Sequence, residues 1–212
     1  VATIPYPVDL PEPTGSTSCD PSITVLDAAP FNEGVARVLG GIARVVERYP
    51  SLQICLELGE RDADGTWQRV DELGLLDRVS SVRNATEVAA LASDSTLTIL
   101  ASESWSSRSI VDLAMARGRV VVRGDQAFLT EDDRRHQCVV LEPSMESWSQ
   151  SLLGLLDDPG RCRTVGTAAR DWIGSRNAAD HVGRTWQQLL DEVSENVIYP
   201  FDSNRTSDHN EM

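Results

Sequence analysis

The sequence predicts an α/β fold, a parallel sheet of about six strands with helices on both faces. Three observations carry that prediction. Runs such as Thr96-Leu-Thr-Ile-Leu100 and Val120-Val-Val122 are short, β-branched and apolar throughout, as strands covered on both faces are. Segments with apolar residues three and four apart lie between them, the period of a helix with one buried side. The two kinds of segment alternate along the chain, the pattern of repeated strand–helix–strand units.

The elements follow in order. Residues 1–21 hold Pro5, Pro7, Pro11, Pro13 and Pro21 with Gly15 and a Ser/Thr cluster, so they read as a linker. Ile23-Thr-Val-Leu26 is the first strand. Val35, Val38, Leu39, Ile42, Val45, Val46 and Tyr49 form a helical stripe that Pro50 ends. Leu52–Leu56 is the second strand, and Trp67, Val70 and Leu73 mark a helix that Gly74 interrupts. Arg78–Val82 is a third, shorter strand, followed by a small helix over Thr86–Leu91 capped by Asn84 or Thr86. Thr96–Leu100 is the fourth strand, Ile110–Met115 a helix closed at Gly118, Val120–Val122 the fifth strand and Cys138–Leu141 the sixth. Three helices near 145–157, 160–173 and 178–193 complete a body of residues 22–195. Residues 196–212 turn polar and acidic and read as a loose tail.

Composition narrows the chemistry. The 212 residues suffice for one domain, and 33 acidic against 19 basic residues leave a formal charge of −14. Every one of those bases is arginine, so Schiff-base catalysis, a P-loop and a receiver-type phosphorylation site, which need lysine, are excluded. So acidic a chain repels phosphate backbones and anionic headgroups, and no nucleic acid or membrane insertion is expected. No apolar run approaches the roughly 20 residues of a spanning helix and no signal peptide is evident, so a cytoplasmic protein is expected. Cys19, Cys55, Cys138 and Cys162 form no C-x-x-C pair, and His136, His181 and His209 are isolated. Buried inert thiols are the expectation, with no metal or cofactor.

A doubly wound parallel sheet takes ligands beyond the carboxyl ends of its strands, where strand order reverses. That directs attention to Asp27–Gly34, Glu57–Gly65, Ala101–Ser109 and Arg123–Thr130. Asp27–Gly34 leads into a helix but contains no base, puts Glu33 at the helix start and lacks G-x-G-x-x-G. Ala101-Ser-Glu-Ser-Trp-Ser-Ser-Arg-Ser109 is richer. Its serine hydroxyls, its N–H groups and Arg108 can hold a phosphate or sugar hydroxyls, so Glu103, Ser106, Ser107 and Arg108 are donor-binding candidates. The competing structural reading is that Ser106 or Ser107 caps the helix. Asp112, early on that helix, joins the candidates, although the dipole alone would favour an acid there. Glu131–His136 reads as a solvated face, and Trp148, Trp172 and Trp186 as core or rim residues. No residue is assigned a catalytic role.

Several strings, in this order, resemble the C-terminal, donor-binding domain of the large retaining group of GT-B glycosyltransferases. They are Ile4-Pro-Tyr-Pro-Val-Asp9, Leu73-Gly-Leu-Leu-Asp-Arg-Val79, Leu113-Ala-Met-Ala-Arg-Gly-Arg-Val-Val-Val122, Leu155-Leu-Asp-Asp-Pro159 and Ala168-Ala-Arg-Asp-Trp172. The resemblance implies a Rossmann-like domain over 22–195, a linker over 1–21 from a missing N-terminal domain, a nucleotide-sugar donor, and an N-terminal GT-B domain or partner chain as the other wall of the cleft. It also implies an arginine and a lysine against the donor diphosphate and two glutamates against sugar and ribose. The aligned positions here are Ala28 and Glu33, and Trp105 and Leu113, while Ser106-Ser-Arg108 replaces a Gly-Phe-Gly turn. Each lost cation removes a charge-assisted contact of roughly 1.5–3 kcal/mol. Two readings stand: a transferase domain that holds its donor differently, through Arg108 and the 102–109 loop, or a non-catalytic binding or assembly module on the same scaffold.

Overall fold

The computed structural model describes residues 20–59, 63–101, 107–124, 139–140, 144–177 and 179–196. Six strands, β1 (Ser22–Leu26), β2 (Gln53–Glu57), β3 (Val79–Val82), β4 (Leu97–Leu100), β5 (Val120–Arg123) and β6 (Val139–Val140), form one sheet in the order β3-β2-β1-β4-β5-β6. Every pairing is parallel. The register sets Leu26 against Leu100 and Leu100 against Arg123, so the carboxyl ends of the three central strands are level. The expected α/β architecture and strand number are observed.

Side-chain alternation sorts the strand residues onto two unlike faces. Ile23 and Val25, Ile54 and Leu56, Leu97 and Ile99, and Val120 and Val122 enter one large aliphatic core. It is covered by helices α1 (Glu33–Arg48), α2 (Asp64–Glu72) and α5 (Met145–Leu156), which supply Val35, Leu39, Ile42, Val70, Trp148 and Leu152. Val121 points the other way, into a smaller core with Ala92 of α3 (Ala85–Asp94), Ala114 and Met115 of α4 (Arg108–Ala116), and Ala169 and Ile173 of α6 (Pro159–Asn177). Polar groups stitch that side. The Thr24 and Ser95 hydroxyls share a 2.6 Å hydrogen bond, Thr98 Oγ1 donates to the Ala92 carbonyl, and Arg119 Nε donates to the Ser93 carbonyl at 2.7 Å. Burial without these partners would cost each group about 1–3 kcal/mol. Burial also lowers the pKa of Arg119 from the usual arginine value. The last helix, α7 (Ala179–Asn196), buries Val182 and leaves Trp186 and Leu190 exposed.

Helix ends follow local chemistry. Gly74 and Gly118 take φ of +66° and +73°, and each closes its helix with the paired bonds of a Schellman turn. In these, Leu75 N–H donates to the Val70 carbonyl and Arg119 N–H to the Ala114 carbonyl. At the far end of α1, Tyr49 Oη and Arg48 Nε both donate to Asp157 Oδ1, at 2.5 and 3.2 Å, tying α1 to the end of α5. Cys55 is a buried free thiol and Cys162 a half-buried one, and burial raises the pKa of both. Trp148 is core, Trp172 packs at the edge of the smaller core and Trp186 is exposed.

Several boundaries differ from expectation. Arg78 ends a 3-10 turn over Leu76–Arg78, because its N–H bonds back to the Leu75 carbonyl, so β3 starts one residue later. Of the two candidate caps for α3, Asn84 is the one used: its Oδ1 accepts from Thr86 N–H. Helix α6 runs four residues past its expected end and α4 starts two residues before its expected start. Pro21, assigned to the linker, already accepts a sheet-edge bond from Gln53 N–H. Cys138 and Leu141, expected in β6, lie outside the described residues, as do 1–19 and 197–212.

Candidate functional site

Strand order reverses between β1 and β4, so the crevice beyond their carboxyl ends is where this sheet offers a ligand site. One wall is the loop from β1 into α1, and the other is the start of α4.

The first wall is tied down by its own groups. Asp27 takes φ +54°, a left-handed conformation that aspartate tolerates better than most residues, and its N–H donates to Glu57 Oε2 at 2.7 Å. Ala28 N–H donates to the Glu57 carbonyl, and the Ala28 carbonyl accepts from Thr66 Oγ1 at 2.6 Å. Asn32 is the N-cap of α1, with extended backbone and its Oδ1 accepting from Val35 N–H at 3.0 Å. Glu33, the first helical residue, forms an ion pair with Arg37 one turn on. Gly34 rests on the end of β4: a Cβ there would lie 2.4 Å from the Ala101 carbonyl oxygen. The two positions at which the resemblance calls for cations are therefore Ala28, which is fully buried, and Glu33, which is exposed and already engaged.

The second wall begins differently. Ser107 occupies the N-cap position of α4, but in helical conformation (φ −87°, ψ −4°) and with no side-chain capping bond. Of the two serines expected as the cap, Ser107 does not make it, because a helical backbone turns its hydroxyl away from the N–H groups it would accept from, and Ser106 lies outside the described residues. No acid stands in the first turn, and the first helical residue is the exposed Arg108. Arg108 and the helix dipole both place positive charge at this end of α4. Asp112 is buried on α4 together with Met115 and Ala116. Of the five predicted donor-binding residues, Ser107, Arg108 and Asp112 thus fall on this one element, and only Arg108 of the three is exposed. Glu103 and Ser106, with Trp105, lie outside the described residues. Arg123 ends β5 level with Leu100, and strand alternation turns it toward the α4 side.

Asp27 and Glu57, joined at the ends of β1 and β2, were not singled out individually in the sequence. The readable signal was an acid placed directly at the end of each of two apolar strand runs. Among the described residues no group of histidine, cysteine and carboxylate side chains could hold a metal ion, and no helix is long and apolar enough to cross a membrane.

Neither a protein-family model nor a curated protein matches this sequence. Solved structures do. A glycosyltransferase from Rickettsia africae ESF-5 superposes with a TM-score of 0.70 at 16% identity, over 84% of this chain and 49% of that one. A TarM mutant of S. aureus, in complex with fondaparinux, alpha-GlcNAc-glycerol and UDP, gives 0.71 at 14% identity over 90% and 39%. The fold is that of the C-terminal half of GT-B glycosyltransferases. The C-terminal domain of the group 1 glycosyl transferase LpcC from Francisella tularensis is similar over most of its own length, 87%, and over 75% of this chain, with a TM-score of 0.60 at 16% identity. This chain spans about half the length of the Rickettsia protein.

Proposed function

We propose that the chain is the donor-side half of a GT-B protein that transfers a sugar from a nucleotide donor, with the diphosphate held at the start of α4. The observation that carries this reading is the α4 entry: a helix at the switch point that opens on Ser107, which makes no capping bond, and Arg108, with no acid in its first turn. The N–H groups of a helix start, its dipole and a guanidinium have the chemistry to hold a diphosphate. An N-terminal domain or a partner chain would supply the acceptor and the other wall of the cleft. UDP in the TarM complex is consistent with the donor class.

A second reading, a non-catalytic binding or assembly module, has its own supporting observation. Between Asp27 and Gly34 there is no arginine or lysine, and Ala28 is fully buried. Titration calorimetry of the chain with UDP-, GDP- and ADP-sugars separates the two. The donor-side reading expects one of them to bind at about the hundred-micromolar level or tighter, and Arg108→Ala to weaken that binding about tenfold or more. No heat with any of them favours the module.

A further inference from the structure

Arginines gather at the turn between α4 and β5, which lies at the amino end of the sheet and so at the far end from the crevice. Gly118 closes that turn and α6 rests directly on it: a Cβ at Gly166 would run into the Gly118 carbonyl oxygen. Arg117 and Arg119 flank Gly118 in the chain, close enough for the Arg117 charge to act on Arg119. Arg163 and Arg170 stand about one turn before and one turn after Gly166, so helical spacing puts them on the face of α6 that meets the turn. Arg170 is fixed there by Nη1, which donates to the Ala116 carbonyl at 2.6 Å.

The carbonyls that end α4 favour cations and account for part of this gathering. They do not account for Arg117, which is half-buried and whose Nε is buried with no hydrogen-bond partner among the described residues. Arg37, Arg44, Arg48 and Arg69 pair with carboxylates, whereas Arg117, Arg163 and Arg170 have no ion pair among the described residues. Asp94 acts on Arg119 and offsets one charge. An excess of positive charge therefore remains at one corner of a chain whose net charge is −14. A guanidinium presents its donors in a planar fork that matches an oxyanion, and a phosphate has oxygens enough to meet several forks at once. We infer that the α4–β5 turn is a phosphate site separate from the crevice, which takes the phosphate group of a small solute between Arg117, Arg163 and Arg170. It does not depend on the donor-side reading. The net charge of the chain repels nucleic acid and anionic membranes, which makes a solute the source of that phosphate.

The test follows amide chemical shifts of the 15N-labelled chain during titration with inorganic phosphate, with sodium chloride at matched ionic strength as the reference. Saturable shifts are expected at residues 117–119 and 166–170 with phosphate and not with chloride. Arg117→Gln should weaken this binding about tenfold, with the melting temperature unchanged because no hydrogen bond of Arg117 Nε is lost. Arg163→Gln should weaken it about threefold or more, and Arg161→Gln, on the other side of α6, should leave it as it is. Equal shifts with chloride, no shift at the turn, or binding undiminished in Arg117→Gln would overturn the site. Phosphate shifts at residues 107–110 alone would overturn it and leave the donor-side reading in place. Co-sedimentation with phosphatidylcholine vesicles containing phosphatidic acid, lost in Arg117→Gln and with no response to free phosphate, would overturn the solute and assign the turn to a headgroup.

Discussion

Helices α1 and α4 both start at the carboxyl end of one sheet, on opposite faces of it, and each receives the chain from a central strand. Their starts are finished in opposite ways. Helix α1 has an asparagine cap with a 3.0 Å bond, an acid as its first residue, an ion pair from that acid to Arg37, and a glycine pressed onto the neighbouring strand. Helix α4 has a helical serine without a capping bond and an arginine as its first residue. The first start is neutralised by its own acid, whereas the second places a cation with the positive end of its dipole, an arrangement suited to an anion.

Substitutions at matched positions should expose this asymmetry. The second helical residue is Gly34 in α1 and Ser109 in α4. Gly34→Ala puts a Cβ against the Ala101 carbonyl, and should cost about 2–3 kcal/mol and lower Tm by about 5–10 °C in thermal denaturation. Ser109→Ala should stay within about 0.5 kcal/mol. At the cap position, Asn32→Ala should cost about 1 kcal/mol, or about 2–4 °C, whereas Ser107→Ala removes no capping bond and should be nearly neutral. At the first helical residue, Arg108→Glu reverses the charge at the helix start, and nucleotide binding should be lost.

A small, pH-dependent effect is expected at the far end of α1, which is also closed by side chains. Hydrogen bonds from Tyr49 and then Arg48 hold the Asp157 carboxyl below its usual pKa, so the stabilisation is present above the unfolded value and fades as pH falls through the folded one. Asp157 is exposed at the surface, so Asp157→Asn should lower Tm by only about 1–2 °C at pH 7, and the difference should vanish near pH 2. A difference that grew in acid would reverse the sign assigned here.

The sheet was legible because strands covered on both faces must be apolar throughout, and the stripe from Val35 to Val46 could only be one side of a helix. Strand order was not, since it depends on which apolar runs meet in space. Arg78 looked like strand because nothing in its side chain reports the bond from its N–H to Leu75. At the site, the sequence shows that Ala28 and Glu33 carry no positive charge. It does not show that Ala28 is sealed beneath the loop or that Glu33 is engaged by Arg37. Ser107 has the composition of a cap without the conformation of one, and composition does not report backbone conformation. Glu57 was passed over because its partner, the N–H of Asp27, belongs to the adjacent strand's loop, 30 residues earlier.

The claim that the start of α4 is the anion site is most directly tested by amide chemical shifts of the 15N-labelled chain during titration with UDP. The account predicts saturable shifts at residues 107–110, at the start of α4, larger than those at 33–36, and their loss in Arg108→Glu. Shifts centred on residues 33–36, or none at the start of either helix, would contradict it.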